Sequence, residues 1–245
     1  MIRSVLLAVA VLLGCLGSLR AEPMVRVVVD DWPPFGGEDL PEGGISLDVI
    51  TTVLERAGYD TTTEILPFAR ILNGARSGAY DIVGNLFFEE DLQAYLTFSD
   101  PFYETEVRFV QQRGSNHQFT DLESLRPYSI AVGEGYFYED DFDEADDLQK
   151  VVVTTTIQGI RMVASGRVDL TLDSRDVIDH AIRTEAPALA EQVVYLPRAL
   201  TVRQIHMAVR NDLPGRDKLL ADFNRVLAEM RADGSLDSLL VKHRN

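Results

Sequence analysis

Ser77-Gly78-Ala79-Tyr80-Asp81-Ile82-Val83 closes one helical run and opens a short β-branched strand. Ser165-Gly166-Arg167-Val168-Asp169 repeats that grammar in the second half of the chain. In each, a Gly follows the last apolar residue of helical spacing, where a positive φ ends a helix at least cost. An Asp then stands at the mouth of a buried strand. Working outward from the first copy, Pro67 suits the first turn of a helix, with Ile71, Leu72 and Ala75 on one face. Val25 to Val29 and Thr61 to Leu66 read as strands. Between them Ser46 is placed as an N-cap, and Val49, Ile50, Val53, Leu54 and Ala57 recur at helical spacing before Gly58. Around the second copy, Tyr128 to Val132, Val168 to Leu172 and Gln192 to Leu196 read as strands. Ile157 to Ala164 and Val177 to Ile182 read as helices. Strand-helix-strand units of this kind imply parallel sheets with helices on both faces. The echo predicts two lobes of similar build, with crossings at Glu104-Thr105-Glu106 and at Ala199 to Gln204.

Composition sets limits on function. The 245 residues include 39 acids against 23 Lys and Arg, a formal charge of −16. That balance argues against a nucleic-acid footprint and against docking on an anionic membrane surface. Residues 1–21 read as a signal peptide: Arg3 is the positive n-region, Ser4 to Leu16 an uncharged apolar run, and Ala21 a small residue before Glu22. The run is too short to span a bilayer, which takes about 20 residues. Leu12-Leu13-Gly14-Cys15 also resembles a lipoprotein box, but Leu13 is bulkier than that box usually carries, which favours cleavage after Ala21. Either route takes the protein out of the cytoplasm. Cys15 is the single cysteine, so the exported chain cannot form an internal disulfide.

Several segments in order resemble a known family. They are Trp32-Pro33-Pro34-Phe35, Gly43-Gly44-Ile45-Ser46-Leu47-Asp48-Val49, Gly78-Ala79-Tyr80-Asp81-Ile82 and Phe98-Ser99-Asp100-Pro101-Phe102-Tyr103. Ala131-Val132-Gly133-Glu134-Gly135, Gly166-Arg167-Val168-Asp169 and the ending from Phe223-Asn224 through Gly234 to Lys242 continue the series. Each is weak alone; their order and spacing resemble the bacterial extracellular solute-binding proteins of family 3, which include the polar amino-acid binding proteins of ABC importers. The resemblance implies an α/β fold of the type II periplasmic-binding-protein kind. Each lobe would be a mostly parallel sheet flanked by helices, with two hinge crossings between them. Lobe 1 would comprise residues 24–105 and 206–245, and lobe 2 residues 106–205. It implies a periplasmic protein, with no enzymatic activity, that captures a small solute in the interlobe cleft for a membrane permease or a sensor protein. The alternative on the same scaffold is a periplasmic lyase resembling cyclohexadienyl dehydratase.

The chain departs from the amino-acid binders of that family at the ligand. Where they carry an Arg that pairs with the ligand α-carboxylate, counting back from Phe98 gives Leu92, or Gln93 with a one-residue slip. Where they often carry Gly-Ser-Thr, this chain has Gly135-Tyr136-Phe137-Tyr138, expected to start a helix. Their acid for the α-amino group falls at Ser174 by strict count, beside Asp173 and Arg175. An aromatic set takes over: Trp32 and Phe35 after the first strand, Phe87 beyond Asn85, then Tyr136 and Phe137. Aromatic walls with a few polar handles suit a flat or apolar small molecule, possessing a carboxylate if Arg70 is to meet an anionic group. The candidate ligand-binding residues are therefore Trp32, Phe35, Arg70, Asn85, Phe87, Tyr136, Phe137 and Asp173. His117, His180, His206 and His243 show no metal-binding spacing, and no dinucleotide loop or nucleophile elbow is present, so neither metal nor cofactor is expected. Glu139 to Asp147 is an acidic run read as a solvated helix face, and Glu89-Glu90-Asp91 as a helix first turn.

Overall fold

A computed structural model of the protein describes residues 24–243; the leader, with Cys15 and the Ala21–Glu22 junction, lies outside the described residues. The strands are β1 (Met24–Asp30), β2 (Asp60–Leu66), β3 (Ile82–Phe87), β4 (Leu96–Phe98), β5 (Tyr103–Gln112), β6 (Ser129–Gly133), β7 (Gln149–Val153), β8 (Leu170–Ser174) and β9 (Val193–Arg210). The helices are α1 (Ile45–Arg56), α2 (Phe68–Arg76), α3 (Asp140–Glu144), α4 (Thr156–Ala164), α5 (Arg175–Glu185), α6 (Arg216–Ala232) and α7 (Ser235–Lys242).

β1 shows why the chain folds in layers. Val27 and Val29 pack into a core shared with α1, α6 and α7, while Val28 faces a second core with Ile71 and Ala75 of α2. A strand apolar on both faces has to be covered on both. Burying each such side chain contributes about 1.5–3 kcal/mol. The second half repeats the scheme. Ile130, Leu170 and Leu172 join Phe109 and Phe142 in one core, and Ala131 joins Ile157 and Ile160 of α4 and Ile178 of α5 in another. Among the described residues the strands form one nine-stranded curled sheet in the order β2-β1-β3-β9-β5-β8-β6-β7, with β4 against β9. β1 is parallel to β2 and β3, and β6 is parallel to β7 and β8. β5 and β9 run antiparallel through the middle, with Thr105 opposite Arg203.

The sequence echo has a structural basis. Gly78 and Gly166 take φ of 73° and 68°. The Asp81 amide donates to the Arg26 carbonyl, and its carboxylate accepts the Arg26 N–H at 3.0 Å. Asp169 does the same with Ser129, accepting its N–H at 2.8 Å. Each Asp thus registers a strand against its parallel neighbour.

Three expectations are corrected. Ser46 is no N-cap: α1 starts at Ile45 and the cap position is Gly44. The Ile45 and Ser46 amides donate instead to the Pro34 and Phe35 carbonyls, so the Trp32–Phe35 turn satisfies the helix start and leaves the buried Ser46 hydroxyl without a partner. A Cβ on Gly44 would lie 2.6 Å from the Phe35 carbonyl oxygen, so the turn needs glycine there. The strand expected to end at Leu196 continues to Arg210, because pairing with β5 and β3 carries it through the crossing. Tyr136 to Tyr138 precede a helix rather than starting one. α3 begins at Asp140, where Glu139 caps it by accepting the Phe142 N–H at 3.0 Å.

Candidate functional site

Open parallel sheets bind ligands beyond the carboxyl ends of their strands. In the first half those ends are Asp30, Leu66 and Phe87, with Asp30 and Leu66 directly paired. In the second half they are Gly133, Val153 and Ser174, with Gly133 paired to Val153. The eight residues singled out in the sequence all lie at or just past these ends.

On the first side, the chain leaves β1 and turns back so that the Phe35 and Gly36 amides donate to the Trp32 carbonyl. The Trp32 ring lies 4.5 Å from Phe35 and edge-on to Phe87 at 5.5 Å between centres. Trp32 is half-buried, whereas Phe35 is fully buried and also packs on Tyr103 at 5.3 Å. Phe35 therefore supports the wall from within the core and does not line it. Asn85 takes φ of 58° at a register shift in β3, a conformation asparagine tolerates better than most residues. Its amide donates to the Asp30 carbonyl at 3.4 Å. Oδ1 of Asn85 and Oδ1 of Asp30 are both buried without a hydrogen-bond partner. Burial raises the Asp30 carboxyl to about 6, against the opposing hydrogen bond of Asn85.

On the second side, Tyr136 folds back over Gly133, where a Cβ would lie 2.6 Å from its ring. Tyr136 and Phe137 are exposed, 43% and 46%. Tyr138, by contrast, is buried, and its hydroxyl accepts the Gly133 N–H at 2.8 Å. Asp173 is buried, accepting from the Thr156 hydroxyl at 2.5 Å and from the Ser174 N–H at 2.7 Å. Desolvation outweighs those bonds and raises its carboxyl to about 6. The Tyr136 phenol is pushed up by desolvation, then by the charge of Asp173 and, across the cleft, by that of Asp30.

Arg203 on β9 joins them at the floor. Its guanidinium lies 4.5 Å from the Phe87 ring centre, 5.6 Å from that of Phe137, and 2.5 Å from the Glu89 carboxylate. Nearby, Asp176 in the first turn of α5 accepts from Tyr103 at 2.8 Å and from Thr105 at 2.6 Å. Arg70 stands apart from this floor. It is exposed in the first turn of α2, which begins where β2 ends beside Asp30. Sequence reasoning missed Asp30, Thr156 and Arg203 and read Glu89 only as a helix start. An acid closing an apolar strand was the available signal for Asp30; Arg203 carries no local signal.

The family model of the bacterial extracellular solute-binding proteins, family 3, matches residues 25–245. The chain belongs to that family. Among family relatives, the lysine/arginine/ornithine-binding periplasmic protein of Escherichia coli K12 is 24% identical over 97% of this chain and 95% of its own length. A histidine kinase sensor domain with similarity to periplasmic binding proteins shares the two-lobed fold. Its TM-score is 0.73 at 22% identity, covering 91% of this chain and 97% of that one. AncCDT-1, an ancestral amino acid-binding protein and precursor of cyclohexadienyl dehydratase, gives 0.68 at 22% identity, covering 89% and 94%.

Proposed function

We propose that the exported chain captures a small organic solute between lobe 1 (residues 24–105 and 206–245) and lobe 2 (residues 106–205). It would hand that solute to a membrane permease or present it to a sensor protein. The observation that carries this reading is the meeting of the two sets of strand ends at Arg203, which lies over the Phe87 ring of one set and the Phe137 ring of the other. Trp32, Phe87, Tyr136 and Phe137 supply aromatic walls, and Asn85 and Asp173 the polar handles. Arg70 is the cation at the rim for a distal anionic group. β5 and β9 are the crossings about which the lobes close, a motion such folds use.

A lyase on this scaffold is the second reading, favoured by the likeness to AncCDT-1 and by two carboxyls, Asp30 and Asp173, both raised to about 6. A cyclic carboxylate substrate needs a cation at its carboxylate. The floor guanidinium is already neutralised by Glu89, which favours binding over turnover.

Native mass spectrometry of protein purified from its own cell envelope should find a bound small molecule. Small-angle scattering should show compaction when that molecule is added back, and Trp32→Ala should weaken its binding about tenfold, since stacked aromatic contacts are worth about 0.5–1.5 kcal/mol beyond burial. Tight binding without compaction and without protection of the Thr105 and Val202 amides would refute closure about these crossings.

A further inference from the structure

We infer that the cleft selects an amine: a small organic cation without an α-carboxylate, its ammonium seated against Asp30 and Asn85 and flanked by Trp32 and Tyr136. This rests on the solute-binding reading above and names the ligand class of that same site.

The first support is an excess of acceptors. Asn85 is only 6% exposed, and its Oδ1 has no donor. Oδ1 of Asp30, whose backbone carbonyl accepts from Asn85, is in the same condition. A buried acceptor without a donor is costly, and a buried carboxylate without a cation more so. A primary ammonium carries three donors and a positive charge, which is what these acceptors lack. A quaternary ammonium offers no donor and fits less well.

The second support is the state of the arginines that could meet a carboxylate attached beside that ammonium. Arg175, next to Ser174, pairs with Asp179 at 3.5 Å and lies 5.5 Å from the Tyr195 ring centre. Leu92 occupies the place where family binders carry their carboxylate arginine, and it is buried in a hydrophobic core. Arg203 has its charge met by Glu89 and lies over the rings of Phe87 and Phe137. Arg70 is exposed in the first turn of α2, whereas the acceptors of Asn85 and Asp30 are buried. An α-carboxylate lies two bonds from its ammonium, so it would be desolvated next to Asp30, like charge against like. Removing it turns that penalty into a gain.

The remaining features agree. Trp32 and Tyr136 offer the ring types that attract cations best. The excess of 39 acids over 23 basic residues attracts cations to the whole molecule.

Calorimetry on the full exported protein at pH 7.5 tests this with three pairs that differ by one carboxylate: phenethylamine and L-phenylalanine, agmatine and L-arginine, putrescine and L-ornithine. At least one amine should bind tenfold or more tightly than its parent amino acid. Asp30→Asn should weaken that amine tenfold to a hundredfold while thermal melts report a folded variant. Parent amino acids binding as tightly as their amines, an amine indifferent to Asp30→Asn, or no binding of any of the three amines at millimolar concentration would each overturn the inference. An L-amino acid bound tightly with compaction would overturn it while leaving the solute-binding reading intact.

Discussion

Replacing Asp30 by Asn should stabilise the protein while weakening its ligand binding tenfold to a hundredfold. The Asp30 carboxyl is raised from its ordinary 3.8 to about 6 by burial. A carboxyl raised on folding binds its proton more tightly in the native state than in the unfolded chain. Its ionisation therefore opposes folding: the cost is full above pH 6, shrinks as pH falls through 6, and is gone below 3.8. A shift of about two units amounts to about 3 kcal/mol at pH 7.5. Burying the replacing amide returns about 1 kcal/mol of that, so a net gain of about 2 kcal/mol is expected. For a protein of this size that is a rise in Tm of about 4–8 °C. At pH 5 the wild type has recovered about 1.4 kcal/mol through Asp30 itself, so the gap between the proteins should narrow by that amount. The groups that bear on Asp30 are Asp31 beside it, Asn85 on β3, and Tyr136 across the cleft, which also feels Asp173. All of these residues are retained in the variant and the Tyr136 phenol, pushed up from its ordinary value, stays protonated at both pH values, so the difference between the two melts reports chiefly on Asp30. Differential scanning calorimetry at pH 7.5 and 5 is the assay. A variant no more stable than wild type at pH 7.5, or a gap unchanged at pH 5, would refute the argument that this carboxyl is held against its own solvation.

Arg203→Ala removes the ion pair with Glu89 and the ring contacts to Phe87 and Phe137, about 2 kcal/mol of interlobe attachment after discounting for the exposed side of Glu89. Hydrogen exchange at the Thr105 and Val202 amides should rise by about tenfold or more; unchanged exchange would mean that Arg203 does not hold the lobes together. Gly133→Ala puts a methyl where the Tyr136 ring lies. Because that ring is exposed and can swing away, solute affinity should fall about tenfold with Tm little changed, and a large loss of Tm would place Tyr136 in the fold instead of the site. Intact-mass measurement of the exported protein should give an N-terminus at Glu22, whereas a mass retaining an acylated Cys15 would establish the lipoprotein route.

Much of the architecture was open to reading because it is local. The spacing of Ile71 and Ala75, the helix-ending Gly78 and Gly166, and the Asp that follows each are separated by a few residues, and backbone sterics alone dictate what such patterns do. The aromatic set could be named for the same reason: Trp32, Phe87, Tyr136 and Phe137 follow strand signals, and chain continuity puts them at strand ends. Which of them are buried and which stay exposed was settled only by packing. Phe35 has the same chemistry as Phe87, yet the turn that caps α1 drives it fully into the core. Arg203 and Glu89 lie 114 residues apart and meet only because β9 crosses beside β5 and β3. The character of Asp30 and Asp173 likewise depends on what surrounds them. A carboxyl's proton affinity follows its distance from water and from other charges, and those distances come from elements far apart in the chain. Sequence by itself thus determined the two repeated units and the chemistry carried to their ends. The tertiary structure decided which of those groups are buried, paired or left open to a ligand, because desolvation and pairing are set by neighbours that no local pattern encodes.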